Sequence, residues 1–133
     1  MPFVLDASLT ACWAFRDEHH PDADAALLKI RAEEAIVPSL WWFEVRNILI
    51  VNERRGRIDL ANSSAFLLHL RKLPVRTNRA PDEDSVLRIA RTHRLSVYDA
   101  AYLELAQREG VAIATLDGSL RKAASPERVA LLA

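Results

Sequence analysis

Short apolar runs alternate along this chain with longer stretches of helical period. Phe3-Val4-Leu5 is a brief apolar run that stops at Asp6 and reads as a first strand. Residues from about 7 to 16 carry a helical pattern, broken at His19-His20-Pro21. Ala25, Ala26, Leu28 and Ile30 predict a second helix from Asp22 to Glu34, with acids at its start where the helix dipole favours them. Ala35-Ile36-Val37-Pro38 predicts a short strand, after which Ser39 is expected to cap a long helix through Phe43, Ile48 and Val51 to a stop at Gly56. Asp59 opens a helix carrying Phe66, Leu67 and Leu70, and Leu73-Pro74-Val75-Arg76 predicts an edge strand, where proline is tolerated. Pro81 with Asp82, Glu83 and Asp84 opens another helix, and Ser96 to Glu109 another, ended by Gly110. Val111 to Leu116 is the clearest strand and stops at Asp117. A short helix and a last strand near Val129 to Leu132 complete the pattern.

Strands that read as continuous apolar runs and alternate with helices predict a parallel sheet covered on both faces, an α/β architecture. At 133 residues the chain has the size of one domain, expected over 1–133. There is no repeat, low-complexity tract or Gly/Ser linker to divide it. Cys12 is the single cysteine, so no internal disulfide is possible, and no Cys/His cluster has zinc-finger spacing. The start shows no basic segment followed by a long apolar one, and no apolar run approaches the ~20 residues a membrane helix needs. The expectation is a soluble, cytoplasmic protein. Formal net charge is zero, so bulk charge gives no argument for nucleic acid. Lysine is confined to Lys29, Lys72 and Lys122. An arginine-rich surface suits phosphate forks, but codon bias accounts for it as well.

The chemistry lies in the acids. Asp6 and Asp117 each end a predicted strand, and the carboxyl ends of parallel strands line the crevice where ligands bind. Each can equally be no more than the cap of the following helix. Glu44 and Asp99 sit within helical patterns that are apolar on most sides, which predicts burial. A buried acid without a partner is costly. The nearby arginines, Arg46 and Arg94, lack the three- or four-residue spacing that pairs side chains on a helix. If all four acids converge, two like charges about 4 Å apart repel by about 4 kcal/mol at an effective dielectric of 20. Either some are protonated or a cation neutralises them. Mg²⁺ and Mn²⁺ prefer such oxygen ligands, and a metal among carboxylates suits phosphodiester hydrolysis. Spacing alone stops at a possible acidic metal site.

Four segments resemble the motifs of the PIN-domain family, in particular its VapC-type toxins of toxin–antitoxin pairs. They are Val4-Leu5-Asp6-Ala7-Ser8, Pro38 to Asn47 around Phe43-Glu44-Val45, Leu95 to Ala106 around Tyr98-Asp99-Ala100-Ala101-Tyr102-Leu103, and Ala114-Thr115-Leu116-Asp117. The resemblance spans essentially the whole chain. It implies a three-layer sandwich whose parallel sheet has about five strands, the first beside the fourth, so that Asp6 and Asp117 are neighbours. It implies a metal-dependent endoribonuclease in which Asp6, Glu44, Asp99 and Asp117 carry Mg²⁺ or Mn²⁺, with Ser8, Asn47 and Thr115 in support. For Ser8 and Thr115, helix capping or simple strand placement explains the residue nearly as well. Water is expected to attack phosphorus in line, leaving a 5′-phosphate and a 3′-hydroxyl, with no role for Cys12 or the histidines.

The resemblance further implies a homodimer, a higher toxin–antitoxin assembly, and a cognate VapB-type antitoxin whose C-terminal segment lies over hydrophobic helices. That groove is expected near Trp13, Phe15 and Leu27. The RNA implied is a tRNA or a ribosomal RNA loop. Trp41 and Trp42 point about 100° apart on a helix; both are expected in the core, and one found exposed would mark an interface. Rival readings are a PIN fold in RNA processing or acting on DNA without an antitoxin, a receiver-like signalling domain, and a non-catalytic binding module. The receiver reading lacks its acceptor acid, since Val75-Arg76-Thr77-Asn78 offers none.

Overall fold

The computed structural model describes residues 1–15 and 17–132. Its centre is β1 (Phe3–Leu5), in which all three side chains are buried. Beside it lie β2 (Ala35–Pro38), then β3 (Val75–Asn78) at one edge and β4 (Ile113–Ala114) on the other side. The order is β3-β2-β1-β4 and every pairing is parallel, Val4 standing opposite both Ile36 and Ile113. Parallel neighbours need crossovers, and the helices supply them: α1 (Ala7–Cys12) and α2 (Pro21–Ile30) before β2, and α3 (Leu40–Arg54) and α4 (Leu60–Leu70) before β3. α5 (Glu83–His93) and α6 (Val97–Glu109) precede β4, and α7 (Gly118–Ala124) follows it. The chain builds outward from β1 through β2 to β3 and then returns to the opposite side of β1. The sheet therefore reverses between β1 and β4.

The sheet has four strands rather than five. The expected last strand is reduced to a single parallel bridge, Ile113 with Leu131. Val111–Leu116 likewise forms a strand over two residues only, Ile113 and Ala114, which pair with Val4 and Leu5 of β1. α2 starts at Pro21 with the His20 ring accepting from the Asp22 amide, and ends at Ile30, short of Glu34. α1 stops at Cys12; residue 16, where that helix was expected to end, lies outside the described residues. Ser39 is itself helical in conformation and makes no side-chain cap, whereas Asp59, Asp82 and Ser96 cap their helices as capping chemistry requires. Gly110 ends α6 at φ +66°, a backbone region that favours glycine.

α6 is the inner helix. Its residues Ala100 to Ala106 are all buried, it packs on β1, β2 and β4, and α5 packs against it in turn. Two acids enter this core with partners. Glu104 is held by Arg108 one turn on, Nε to Oε2 at 2.7 Å. Glu127, beyond α7, takes hydrogen bonds from both terminal nitrogens of Arg88, from Gln107, and shares one with His93 at 2.7 Å. It thereby ties α5 and α6 to the segment that follows α7. Among the described residues no helix is long and apolar enough to cross a membrane.

The partners of Glu127, Arg88 first, hold its carboxyl down at about 2 against an ordinary 4.5. A depressed carboxylate stabilises the fold above its unfolded value and loses that contribution as pH falls through the folded one. Glu127→Gln is therefore expected to cost roughly 2 kcal/mol in urea unfolding at neutral pH. The gap should close as pH is lowered from about 4.5 towards 2. A gap of unchanged size at pH about 3 would contradict this account of the network.

Candidate active site

The carboxyl end of β1 and the residues just after β4 meet at the reversal. Asp6 follows β1, is 3% exposed, and caps α1 by accepting from the Leu9 amide at 2.9 Å. Thr115 follows β4, and its hydroxyl donates to Asp6 Oδ2 while accepting from the Asp117 amide at 3.0 Å. Asp117 in turn caps α7 through the Leu120 amide. Both strand-end aspartates thus act as helix caps, as the plain reading expects, and Asp117 lies near enough to Asp6 for its charge to act on it. Ser8, exposed, donates to both oxygens of Asp6 at 3.0 and 3.2 Å.

Asp99 and Glu44 come from the helices. Asp99 lies in the first turn of α6, where its amide is capped by Ser96, and is partly exposed. Glu44 is partly exposed on α3, and the Tyr102 hydroxyl donates to its Oε1 at 2.6 Å. Neither α3 nor the first turn of α6 is buried all round, as the apolar pattern had predicted. Trp42, Phe43, Val97 and Tyr98 are all at least half exposed. Arg46 does not pair with Glu44; its guanidinium folds back over the Trp42 ring at 3.9 Å from the centroid. Arg94 makes no ion pair with Asp99 among the described residues.

The electrostatics join the four acids into one group. Burial pushes the Asp6 carboxyl up, its hydrogen bonds from Thr115, Leu9 and Ser8 partly offset this, and the Asp117 charge pushes it further. Glu44 is raised by burial, eased by Tyr102, and raised again by the charges of Asp99 and Asp6. Asp99 is raised by burial and by Asp117. Each of these three acids is repelled by another member of the set, and no salt bridge to any of the four occurs among the described residues. Among those residues, too, no three Asp, Glu, His or Cys side chains stand close enough to enclose an ion as they lie.

Of the remaining expected residues, Thr115 and Ser8 join the group through Asp6. Asn47 does not. It is exposed on α3, one turn beyond Glu44, with no hydrogen bond to the acids among the described residues. Sequence reasoning gave Tyr102 no role, although a signal existed: it stands three residues after Asp99 on a helix expected to be buried, and a buried phenol needs a partner. Arg121 was missed as well; it donates to the Thr115 carbonyl at 2.9 Å and reaches Asp22 at 3.5 Å.

A second feature is a groove of about 750 Å³ whose lining includes Trp13, Phe15, Leu27, Ile58 and Phe66, with Arg31 and Lys72 among its charged residues. Trp13 is partly buried, its indole donating to the Ala23 carbonyl at 2.8 Å. Phe15 is only 6% exposed, yet it contributes to the groove wall.

A parallel α/β sheet with acids at its reversal point defines a class of protein that binds ligands at strand ends. The family model described as PIN domain matches residues 3–126, and the chain belongs to that family. It is 32% identical over 124 residues to the ribonuclease VapC3 of Pyrobaculum aerophilum, covering 90% of this chain and 92% of that one. It is 33% identical over 90 residues to the exonuclease VapC9 of the same organism, covering 66% of this chain and 65% of that one. The crystal structure of PAE2754 from Pyrobaculum aerophilum superposes with a TM-score of 0.72 at 26% identity, over 92% of this chain and 79% of that one.

Proposed function

We propose that this protein is a metal-dependent endoribonuclease of the VapC type, acting on RNA phosphodiester bonds in the cytoplasm. The observation that carries the reading is the placing of Asp6, Glu44, Asp99 and Asp117 about the sheet reversal, where Asp6, Glu44 and Asp99 are raised by burial and by the charge of another acid of the set, with no pairing cation among the described residues. The likeness to a relative named as a ribonuclease supports it. The donor chemistry fits a hard divalent ion, Mg²⁺ or Mn²⁺, because every candidate ligand is oxygen. When bound, the ion supplies polarisation of the scissile phosphate and charge for the leaving oxygen. The chain's own part is to hold the acids still. Thr115 and Ser8 fix Asp6, Ser96 caps the turn carrying Asp99, and Tyr102 fixes Glu44. Asn47, one turn from Glu44, is proposed to reach substrate or metal-held water from the exposed side.

Purified protein freed of any antitoxin is expected to cut total cellular RNA, with tRNA and ribosomal RNA loops as the candidate targets, into discrete fragments. Cleavage should require Mg²⁺ or Mn²⁺, stop with EDTA, and fall by more than about a hundredfold in Asp99→Asn. Fragments ending in a 2′,3′-cyclic phosphate would sink the hydrolytic mechanism. Cleavage of DNA alone would favour the nuclease reading without RNA.

The groove is the proposed seat of a VapB-type antitoxin. Its apolar floor fits the apolar face of an amphipathic segment, and Arg31 and Lys72 fit acids on that segment. Leu27→Glu is expected to leave cleavage intact and make it resistant to the cognate antitoxin; an unchanged inhibition curve would place the antitoxin elsewhere.

The exposed apolar face of α3, with Phe43 68% and Trp42 52% exposed, is proposed to meet a second copy of the chain, as the base of a homodimer or larger toxin–antitoxin assembly. Light scattering should report a dimer for the wild type and a monomer for Phe43→Glu. A monomeric wild type at micromolar concentration would count against that face.

A further inference from the structure

We propose that Tyr102 is a positioning residue for the acid site, its buried hydroxyl holding Glu44 in the orientation in which that carboxylate serves a divalent cation. The inference rests on the reading of Glu44 as a metal ligand given above, and adds to it the residue that sets the ligand's geometry. Tyr102 is only 2% exposed, so its ring is fixed by the core of α6 rather than free to follow Glu44. Its hydroxyl donates to Glu44 Oε1 at 2.6 Å, the short distance of a bond to an ionised acceptor. The hydroxyl therefore joins α3, through Glu44, to α6 one turn beyond Asp99.

Glutamate needs such a partner more than the aspartates do. Asp6 and Asp117 are short side chains that cap helices, so backbone amides already fix their oxygens. Glu44 lies within α3, caps nothing, and has one more rotatable bond, so its rotamers are open unless something outside the helix selects one. The phenol selects one. It occupies Oε1 and leaves Oε2 with no hydrogen bond among the described residues. Partners that orient a metal-binding carboxylate typically contribute ten- to a hundredfold in affinity.

The test is Mn²⁺ binding by titration calorimetry at neutral pH for the wild type, Tyr102→Phe, Glu44→Gln and the double variant. Tyr102→Phe keeps the ring in the core, and water can reach the partly exposed Glu44 in place of the lost hydroxyl, so the fold is expected to survive. Melting temperatures of the metal-free proteins should agree within a few degrees. Tyr102→Phe is expected to weaken Mn²⁺ by about tenfold, and the double variant to bind no more weakly than Glu44→Gln alone. Tyr102→Phe binding as tightly as the wild type while Glu44→Gln is weakened would overturn the proposal and leave the ligand reading standing. Equal losses in both backgrounds would also overturn it, because Tyr102 would then act without Glu44. Unaltered binding by Glu44→Gln would show that the ligand reading itself has failed, and the proposal with it.

Discussion

Asp6 is a carboxylate 3% exposed at the end of the central strand, and much of the molecule is arranged around keeping it there. Placing an ionised carboxylate in a protein interior costs several kcal/mol unless hydrogen bonds and charge compensate it. The hydrogen bonds come from the Leu9 amide, the Ser8 hydroxyl and the Thr115 hydroxyl. Two of them also perform a structural task. The Leu9 bond starts α1. The Thr115 bond joins the residue after β1 to the residue after β4, across the one place where the sheet reverses. These interactions therefore shape the crevice and fix its first acid together. A substitution at Thr115 affects both, and loss of activity there does not by itself distinguish a chemical role from a structural one.

The α/β class, the position of nearly every helix and the strand ends that carry Asp6 and Asp117 were legible in the sequence. Apolar runs ending in aspartate and helices punctuated by Asp59, Ser96 and Gly110 depend on local chemistry, which a sequence displays directly. What was hidden depended on lengths and neighbours. The sheet has four strands because the last segment meets β4 through one bridge only, Ile113 with Leu131, and a run as apolar as Val111–Leu116 does not reveal how far its neighbours pair with it. Glu44 and Asp99 were expected to be buried in helices apolar on most sides, whereas Phe43 and Tyr98 beside them face outward. Apolar residues read as core from composition alone also serve as a surface. Tyr102 was visible as part of a motif, but its role required knowing that α3 crosses within reach of α6.

The treatment of acids elsewhere in the chain sharpens the reading of the site. Arginine is abundant, and where the fold buries or crowds a carboxylate it usually supplies one: Arg108 for Glu104, Arg88 for Glu127, and Arg57 for Glu18. The result at Glu127 is a carboxyl held far below its ordinary value. At the sheet reversal the sign is opposite. Asp6, Glu44 and Asp99 are all raised, and the nearby Arg121 is spent on a backbone carbonyl and on Asp22. A fold that needed these acids only for its structure would lose nothing by pairing them with arginine, since such a pair stabilises the charged form. Leaving them unpaired costs stability in the bare protein. That cost falls if some of the acids are protonated, or if the divalent ion proposed above occupies the space, for binding that is confined to the folded state returns its free energy as stability. A fixed guanidinium would satisfy the electrostatics and block the chemistry; a divalent ion satisfies the electrostatics and keeps positions open for water and phosphate. The contrast between the paired acids of the core and the unpaired acids of the crevice is thus the strongest physical argument in this molecule for a metal-using site.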